Sequence, residues 1–371
     1  MDFIQIVLLS GICTFALNLI ITPILINLAN RYSWYDRIDH RKVHNGKIPR
    51  IGGVGLYLSF IIGLVIIYYA RKPFTSEVTG FISLRLFFSF FIGLSVVQLL
   101  GLVDDFANLK ARYKFIVQIL VAAGIAFSGH TFRYIYIPIA QVVLDVGNFS
   151  YLLTIIWIAG VCNAMNFIDG VDGLAGGIAS IIFLTMGIAS ILVKNISIAS
   201  MSLALLGSTA GFLVYNKPKA KIFMGDSGSL FLGYALASMP LYDLSTEYSP
   251  MKLMLSISYL IIPLFDEIAA ILRRLRKGQH VFSPDREHIH HKLMAFGFSN
   301  WQILFTLCGL TLLVCAAALL WILELTLLSE VFLLCSWIVC LVFFLVLDRK
   351  FRKLTHQKKR LPAEKSAGMA R

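Results

Sequence analysis

Charge is what this sequence has little of: Asp, Glu, Lys and Arg make up 14% of its 371 residues, against about a quarter in an ordinary soluble domain. With 58% hydrophobic residues and a mean hydropathy of +0.79, the chain cannot clothe a water-facing surface, which excludes a soluble globular enzyme and a disordered regulator. Cysteine is scarce too. Cys13, Cys162, Cys308, Cys315, Cys335 and Cys340 lie inside apolar runs with no paired spacing in any outer loop, a pattern that predicts neither a disulfide framework nor a zinc knuckle. No internal repeat or low-complexity domain is visible.

What is present is a succession of apolar runs, each near the roughly 17–25 residues that a bilayer core requires. Eleven are recognisable, near residues 3–28, 51–70, 79–103, 115–129, 151–168, 174–193, 197–215, 229–246, 251–272, 302–323 and 327–347. The first has no basic n-region and is too long for a cleaved signal peptide, so it reads as a retained helix. The pattern predicts an all-α polytopic membrane protein of about 10–11 transmembrane helices. Residues 1–347 are expected to form one transmembrane domain, and 348–371 a basic cytoplasmic tail without fixed structure, suited to anionic lipid rather than RNA.

The net charge of +13 is unevenly placed. Every Lys and Arg except Arg71, Lys72, Arg85, Arg133, Lys194 and Lys252 falls in 29–50, 104–114, 216–228, 272–301 or the tail. Those segments share one side of an eleven-span topology. The positive-inside bias makes that side cytoplasmic, with the N-terminus outside and the C-terminus inside, and argues against nucleic acid as a partner. On the outer side, Arg133 to Asp145 is rich in β-branched and aromatic residues with an interruption near Pro138. It predicts a short extracytoplasmic β-hairpin, the alternative being an irregular loop lying on the membrane.

The unusual polar clusters all fall in cytoplasmic loops: 40–53, 101–114, 163–177, 216–233 and 273–293. Adjacent Asp104 and Asp105 repel one another and need a metal, or a lysine such as Lys114 holding a phosphate, unless they form a solvated helix end. Asn163, Asn166, Asp169 and Asp172 recur every third residue, tracking one helical face before Gly170 and Gly173 break it. Their oxygens are expected to converge, although Asp169 could instead cap the next helix. Asn and Asp supply the hard oxygen ligands that Mg²⁺ prefers.

Gly225-Asp226-Ser227-Gly228-Ser229 opens a helix, where free amides and the helix dipole favour a phosphate, and Asp226 is the first choice as a Mg²⁺ ligand. It lacks the Gly-Lys-Ser/Thr of a Walker A loop. Asp285, Arg286, Glu287, His288, His290, His291 and Lys292 make a loop suited to a diphosphate; zinc ligation and a solvated basic loop are its alternatives. His44, Lys47 and Arg50 sit in a weaker basic loop, and Asp266-Glu267 is explained equally well by pairing with Arg273 or Arg274.

In this order and on one face, the motifs resemble the polyprenyl-phosphate N-acetylhexosamine-1-phosphate transferases, a glycosyltransferase 4-type family, over roughly residues 40 to 300. The resemblance implies that Asp104 and Asp105 serve the lipid phosphate, that Lys114 contacts phosphate, and that Asn166 and Asp226 ligate Mg²⁺, with Mn²⁺ as a substitute. It implies that Asp169 and Asp172 shape the nucleotide pocket and that His288, His290 and His291 form a His-x-His-His loop. From their own chemistry Asn163, Arg286, Lys47 and His44 are expected beside the substrate, and Lys114, Arg286 and the histidines are expected to add positive charge around the reacting phosphorus. The isoleucine at 289, where the phospho-MurNAc-pentapeptide translocase has a histidine run, points to the undecaprenyl-phosphate GlcNAc branch. The implied partners are a UDP-N-acetylhexosamine, undecaprenyl phosphate and membrane lipid, with room for a homodimer. The implied reaction releases UMP at a bacterial inner membrane and initiates a cell-envelope polysaccharide such as O-antigen or teichoic acid. The translocase is the alternative activity. A transporter would want inverted repeats and polar groups near the bilayer centre, and a CDP-alcohol phosphatidyltransferase would want Ala-Arg where Val171-Asp172 stands.

Overall fold

A computed structural model describes residues 3–35, 48–71, 84–242, 249–280, 283, 285, 287–324 and 326–368. Within them the helices are α1 (Phe3–Tyr32), α2 (Gly52–Arg71), α3 (Leu84–Ala107), α4 (Ala111–Phe127), α5 (Phe149–Ile168), α6 (Leu174–Leu192), α7 (Ile196–Asn216), α8 (Gly225–Ser238), α9 (Lys252–Tyr259), α10 (Ile261–Arg276), α11 (Ile289–Ala295), α12 (Asn300–Glu324) and α13 (Leu327–Gly368). Each apolar run read from the sequence holds one helix, or in 251–272 the pair α9 and α10. Among the described residues, eight helices are long and apolar enough to cross a membrane, and nine if α9 and α10 are one span bent by 80°. The chain is a multi-pass membrane protein.

The shortfall from eleven has physical causes. Pro263 lies in the first turn of α10, where its missing N–H is tolerated but a straight continuation of α9 is not. The 17 residues of α4 and the 14 of α8 are short. All of α8 is buried, so protein rather than lipid surrounds it. Its neighbours approach through glycines. A Cβ on Gly101 of α3 would overlap the backbone of Ser227, and one on Gly53 of α2 would overlap Gly228. Elsewhere the interior is tied by hydroxyl and amide contacts: Asn18 donates to Ser59 at 3.0 Å, and Ser59 meets Ser208 at 2.8 Å. Such small and polar pairs hold helices together where lipid is the solvent.

The expected hairpin is present, with β1 (Tyr134–Ile137) antiparallel to β2 (Val142–Asp145) and Tyr134 opposite Asp145. Tyr136 packs on Trp321 and donates to buried Glu330 of α13 at 2.9 Å. The basic segment after residue 347, expected to lack order, continues α13 to Gly368. Its first turn is secured by Asp348, which pairs at 2.6 Å with both Lys292 and Arg352. The six cysteines are unpaired.

Because backbone meets backbone at Gly101, Gly101→Leu is expected to cost at least about 1–3 kcal/mol through overpacking, whereas Gly124→Leu on α4, which points into open space, is neutral. Thermal unfolding and monodispersity of the two variants in detergent check this.

Candidate active site

Residues 49–53 and 223–224 form a short backbone ladder: Phe223 N donates to Pro49 O at 2.8 Å, Gly52 N to Phe223 O at 3.0 Å, and Gly53 N to Met224 O at 2.8 Å. The ladder carries Arg50 to the start of α8. From α3, Asp105 reaches the same place. Its Oδ1 accepts the Asp226 amide at 2.7 Å, and its Oδ2 accepts the Ser227 amide at 3.1 Å and hydroxyl at 2.7 Å. The helix N-terminus expected to offer its amides to a phosphate is therefore capped by a carboxylate of the protein itself, as helix termini favour. Gly225 makes the cap possible. Its φ is +73°, and a Cβ there would lie 2.5 Å from Asp105 Oδ2.

Asp226, in the first turn of α8, divides its oxygens between two cations. Arg50 Nη2 donates to Oδ1 at 2.6 Å and Lys114 Nζ to Oδ2 at 2.7 Å. Arg50 Nε also faces Asp105 at 3.3 Å, and Lys114 also donates to Asp104 at 2.8 Å. Asp104 completes its bonding by accepting the Leu109 amide at 2.6 Å. The result is a chain of alternating charge, Asp105–Arg50–Asp226–Lys114–Asp104. The adjacent aspartates, expected to need a metal or a phosphate-holding lysine nearby, are thus separated, one capping α8 and one aiming Lys114. Arg50 stood in a weak basic loop in the sequence and becomes central only because a residue 176 positions away meets it.

The segment from Asn163 to Asp172 does not converge as expected. Asn163 turns to α4, donating to Gln118 at 2.7 Å, and Asp172 Oδ2 accepts the amides of Lys219 and Ala220. Helical spacing put these residues on one face, but α5 ends at Ile168 and the chain turns before Asp172. Gly173, at φ +76°, starts α6. Asn166 stays at the site, donating to Ser229 of α8 at 2.8 Å. Asp169 takes the C-terminal cap position of α5, not the N-cap of the next helix. Burial, together with the carboxylates of Asp226, Asp105 and Asp172, pushes its carboxyl well above the usual range against the pull of Arg50.

The histidine loop packs on this segment. His288 stacks on Phe167 at 5.1 Å, and Gly170 has no side chain because His290 occupies that space. His288 and His290 are 6% and 2% exposed, whereas His291 is exposed. Burial drives the His290 ring down to about 3, so it is neutral near pH 7 and adds no positive charge. That corrects, for His290, the expectation that the histidines add positive charge around a phosphate. Arg273 pairs with Asp285 at 2.6 Å, and the guanidinium holds that carboxyl below its usual range despite burial. His44, Lys47 and Arg286 lie outside the described residues.

Among the described residues no three His, Cys, Asp or Glu side chains are arranged to hold a metal ion. The available hard donors are the carboxylates of Asp226 and Asp169 and the carboxamide oxygen of Asn166, whose nitrogen is the atom bonded to Ser229. Asp169, raised in part by the neighbouring Asp226 carboxylate, belongs to a donor set that a divalent cation relieves.

Residues 87–243 match the sequence profile of glycosyl transferase family 4. Over 282 residues the chain is 36% identical to the "Probable undecaprenyl-phosphate N-acetylglucosaminyl 1-phosphate transferase" of Bacillus subtilis (strain 168), covering 76% of this chain and 75% of that protein. The chain belongs to glycosyl transferase family 4. It is also 33% identical over 300 residues to the "Decaprenyl-phosphate N-acetylglucosaminephosphotransferase" of Mycobacterium tuberculosis (strain ATCC 25618 / H37Rv), with 74% and 72% covered. To the "Undecaprenyl-phosphate alpha-N-acetylglucosaminyl 1-phosphate transferase" of Escherichia coli (strain K12) it is 28% identical over 294 residues, with 76% and 75% covered. The family 4 match contains Asp104, Asp105, Lys114, Asn166, Asp169, Asp172 and Asp226, whereas Arg50 and the histidine loop lie outside the matched residues.

Two outcomes test this geometry. Gly225→Ala is expected to lose about 1–3 kcal/mol from the left-handed backbone alone, and more through the displaced Asp105 cap, read as a lowered unfolding temperature. His290 has a folded value of about 3, below its unfolded one near 6.5. Protonation therefore favours the unfolded chain, and stability falls as pH drops from 6.5 toward 3, by up to about 1.4 kcal/mol per pH unit. His290→Gln should flatten that slope in pH-dependent melting curves.

Proposed function

We propose that the chain transfers N-acetylglucosamine-1-phosphate from UDP-GlcNAc to a polyprenyl phosphate such as undecaprenyl phosphate, releasing UMP and initiating cell-envelope glycan synthesis. The observation that carries the reading is Asp226 held between Arg50 and Lys114 at one end of a membrane bundle, in a family whose relatives are named for this transfer. Phosphoryl transfer needs chiefly positioning and neutralisation of charge. Two cations on one carboxylate supply that charge, since each can turn from Asp226 to an incoming phosphate while Asp105 and Asp104 keep it anchored. Lys114, aimed by Asp104, meets the lipid phosphate, and Arg50 meets the diphosphate. A phosphate monoester has its second pKa near 6, so the lipid acceptor needs no strong base to ionise it.

Asp226 and Asn166, with Asp169 beside them, would hold Mg²⁺, or Mn²⁺ in its place. Bound there, the ion would supply positive charge toward the UDP diphosphate; Arg50 and Lys114, which share Asp226, would then be free to turn to the phosphates. Asp172 fixes the loop at Lys219 and Ala220, and with Asp169 it borders the nucleotide. In the topology read from the sequence the basic segments share one side with the charge chain, and the positive-inside bias puts that side in the cytoplasm; the membrane is the bacterial plasma membrane. A prenyl tail never leaves the bilayer, so an enzyme for a soluble sugar nucleotide is built from spans.

Purified protein incubated with Mg²⁺, undecaprenyl phosphate and labelled UDP-N-acetylhexosamines is expected to move label from UDP-GlcNAc into lipid. Asp226→Asn should lower the rate by at least about 100-fold, and chelation should abolish it until Mg²⁺ is restored. Transfer from no UDP-sugar, or full activity in Asp226→Asn, overturns the reading.

A further inference from the structure

Asp266 of α10 does not pair with Arg273 as its position suggests. Its Oδ2 lies 2.9 Å from His288 Nδ1, and its Oδ1 accepts the Ile289 amide at 2.8 Å. The carboxylate is 2% exposed. The His288 ring stacks on Phe167, 5.1 Å away, and lies parallel within 4° to His290 at 6.0 Å. Stacking sets the plane of the ring, and Asp266 sets its rotation within that plane. Among the described residues no partner meets His288 Nε2. This is the one ring atom left to face a ligand beside the 166–170 segment.

The chemistry of the three atoms decides the proton. A backbone N–H only donates, so Ile289 holds Oδ1 as an acceptor; the other oxygen of a carboxylate also accepts. Nδ1 must therefore carry the hydrogen. We propose that Asp266 is a positioning residue that holds His288 with Nδ1 protonated and Nε2 presented to the nucleotide-sugar, and that it acts on the reaction only through His288. The proposal rests on the transferase reading above.

Asparagine at 266 makes the test specific. Ile289 N–H would keep the amide oxygen, which leaves the NH₂ facing Nδ1 and forces the proton to Nε2. Both hydrogen-bonding positions survive, but the tautomer reverses. Nitrogen-15 NMR of histidine-labelled full-length protein in liposomes reads this directly, the His288 signals being assigned by their absence in His288→Ala. Nδ1–H is expected in the wild type and Nε2–H in Asp266→Asn. With UDP-GlcNAc as the probe, kcat/KM should fall roughly 10- to 100-fold in Asp266→Asn, the usual loss when a partner orienting a histidine is altered. Asp266→Asn/His288→Ala should be no slower than His288→Ala alone. Nε2–H at His288 in the wild type overturns the proposal even where Asp266→Asn does not fold. Unchanged kcat/KM in Asp266→Asn, or an additive loss in the double variant, overturns it as well. A wild type that transfers no sugar overturns the transferase reading instead and leaves the tautomer result standing.

Discussion

A carboxylate enclosed by helices must be matched by positive charge, because neither lipid nor packed protein can hydrate it. Asp226 stands at that point in this protein, and the arrangement around it follows from the need. Arg50 and Lys114 neutralise its two oxygens, and each cation is in turn shared with a second aspartate, Asp105 or Asp104. Removing one charge from such a chain leaves its neighbours unbalanced, so the loops after α1, α3 and α7 are bound to a common geometry. The same arrangement suits a charged substrate, because a cation already held at a buried carboxylate exchanges one anion for another with little reorganisation.

Close backbone approach is what lets the charges meet. Gly53, Gly101 and Gly228 bring α2 and α3 onto α8, and Gly225 clears space for Asp105. A side chain at any of these positions would move the carboxylates by more than a hydrogen bond tolerates. The glycines of 225–233 thus serve helix packing and capping, and the amides they were expected to offer a phosphate are occupied within the protein.

The histidine loop is held in a different way. Stacking on Phe167, contact at Gly170 and the Asp266 carboxylate seat it against the end of α5. Lys292 ties it to Asp348 on the extension of α13. Such burial keeps His290 uncharged, so it adds nothing to the positive charge that Arg50 and Lys114 bring to the site. The hairpin, fastened to Glu330 and Trp321, belongs to the end of α12 and α13 away from this loop.

Hydropathy and charge placement alone determined that the chain is a helical multi-pass protein, because a bilayer demands long apolar runs and leaves polar residues only at the ends, and β-branched and aromatic residues between 133 and 145 pointed to the hairpin. Local motifs likewise marked Asp104, Asp105, Lys114, Asn166, Asp169 and Asp226 as chemically unusual, and the family match spans all of them. What each does was not legible. Asp104 and Asp105 are neighbours in the chain yet serve separate partners, and Asn163 and Asp172 leave the face that their spacing suggested. Arg50 and Asp266 carried only weak local signatures, a basic loop and an ambiguous acidic pair. Their roles come from contacts across 176 and 22 positions, and contacts at such separations are decided by helix packing, which no local pattern encodes.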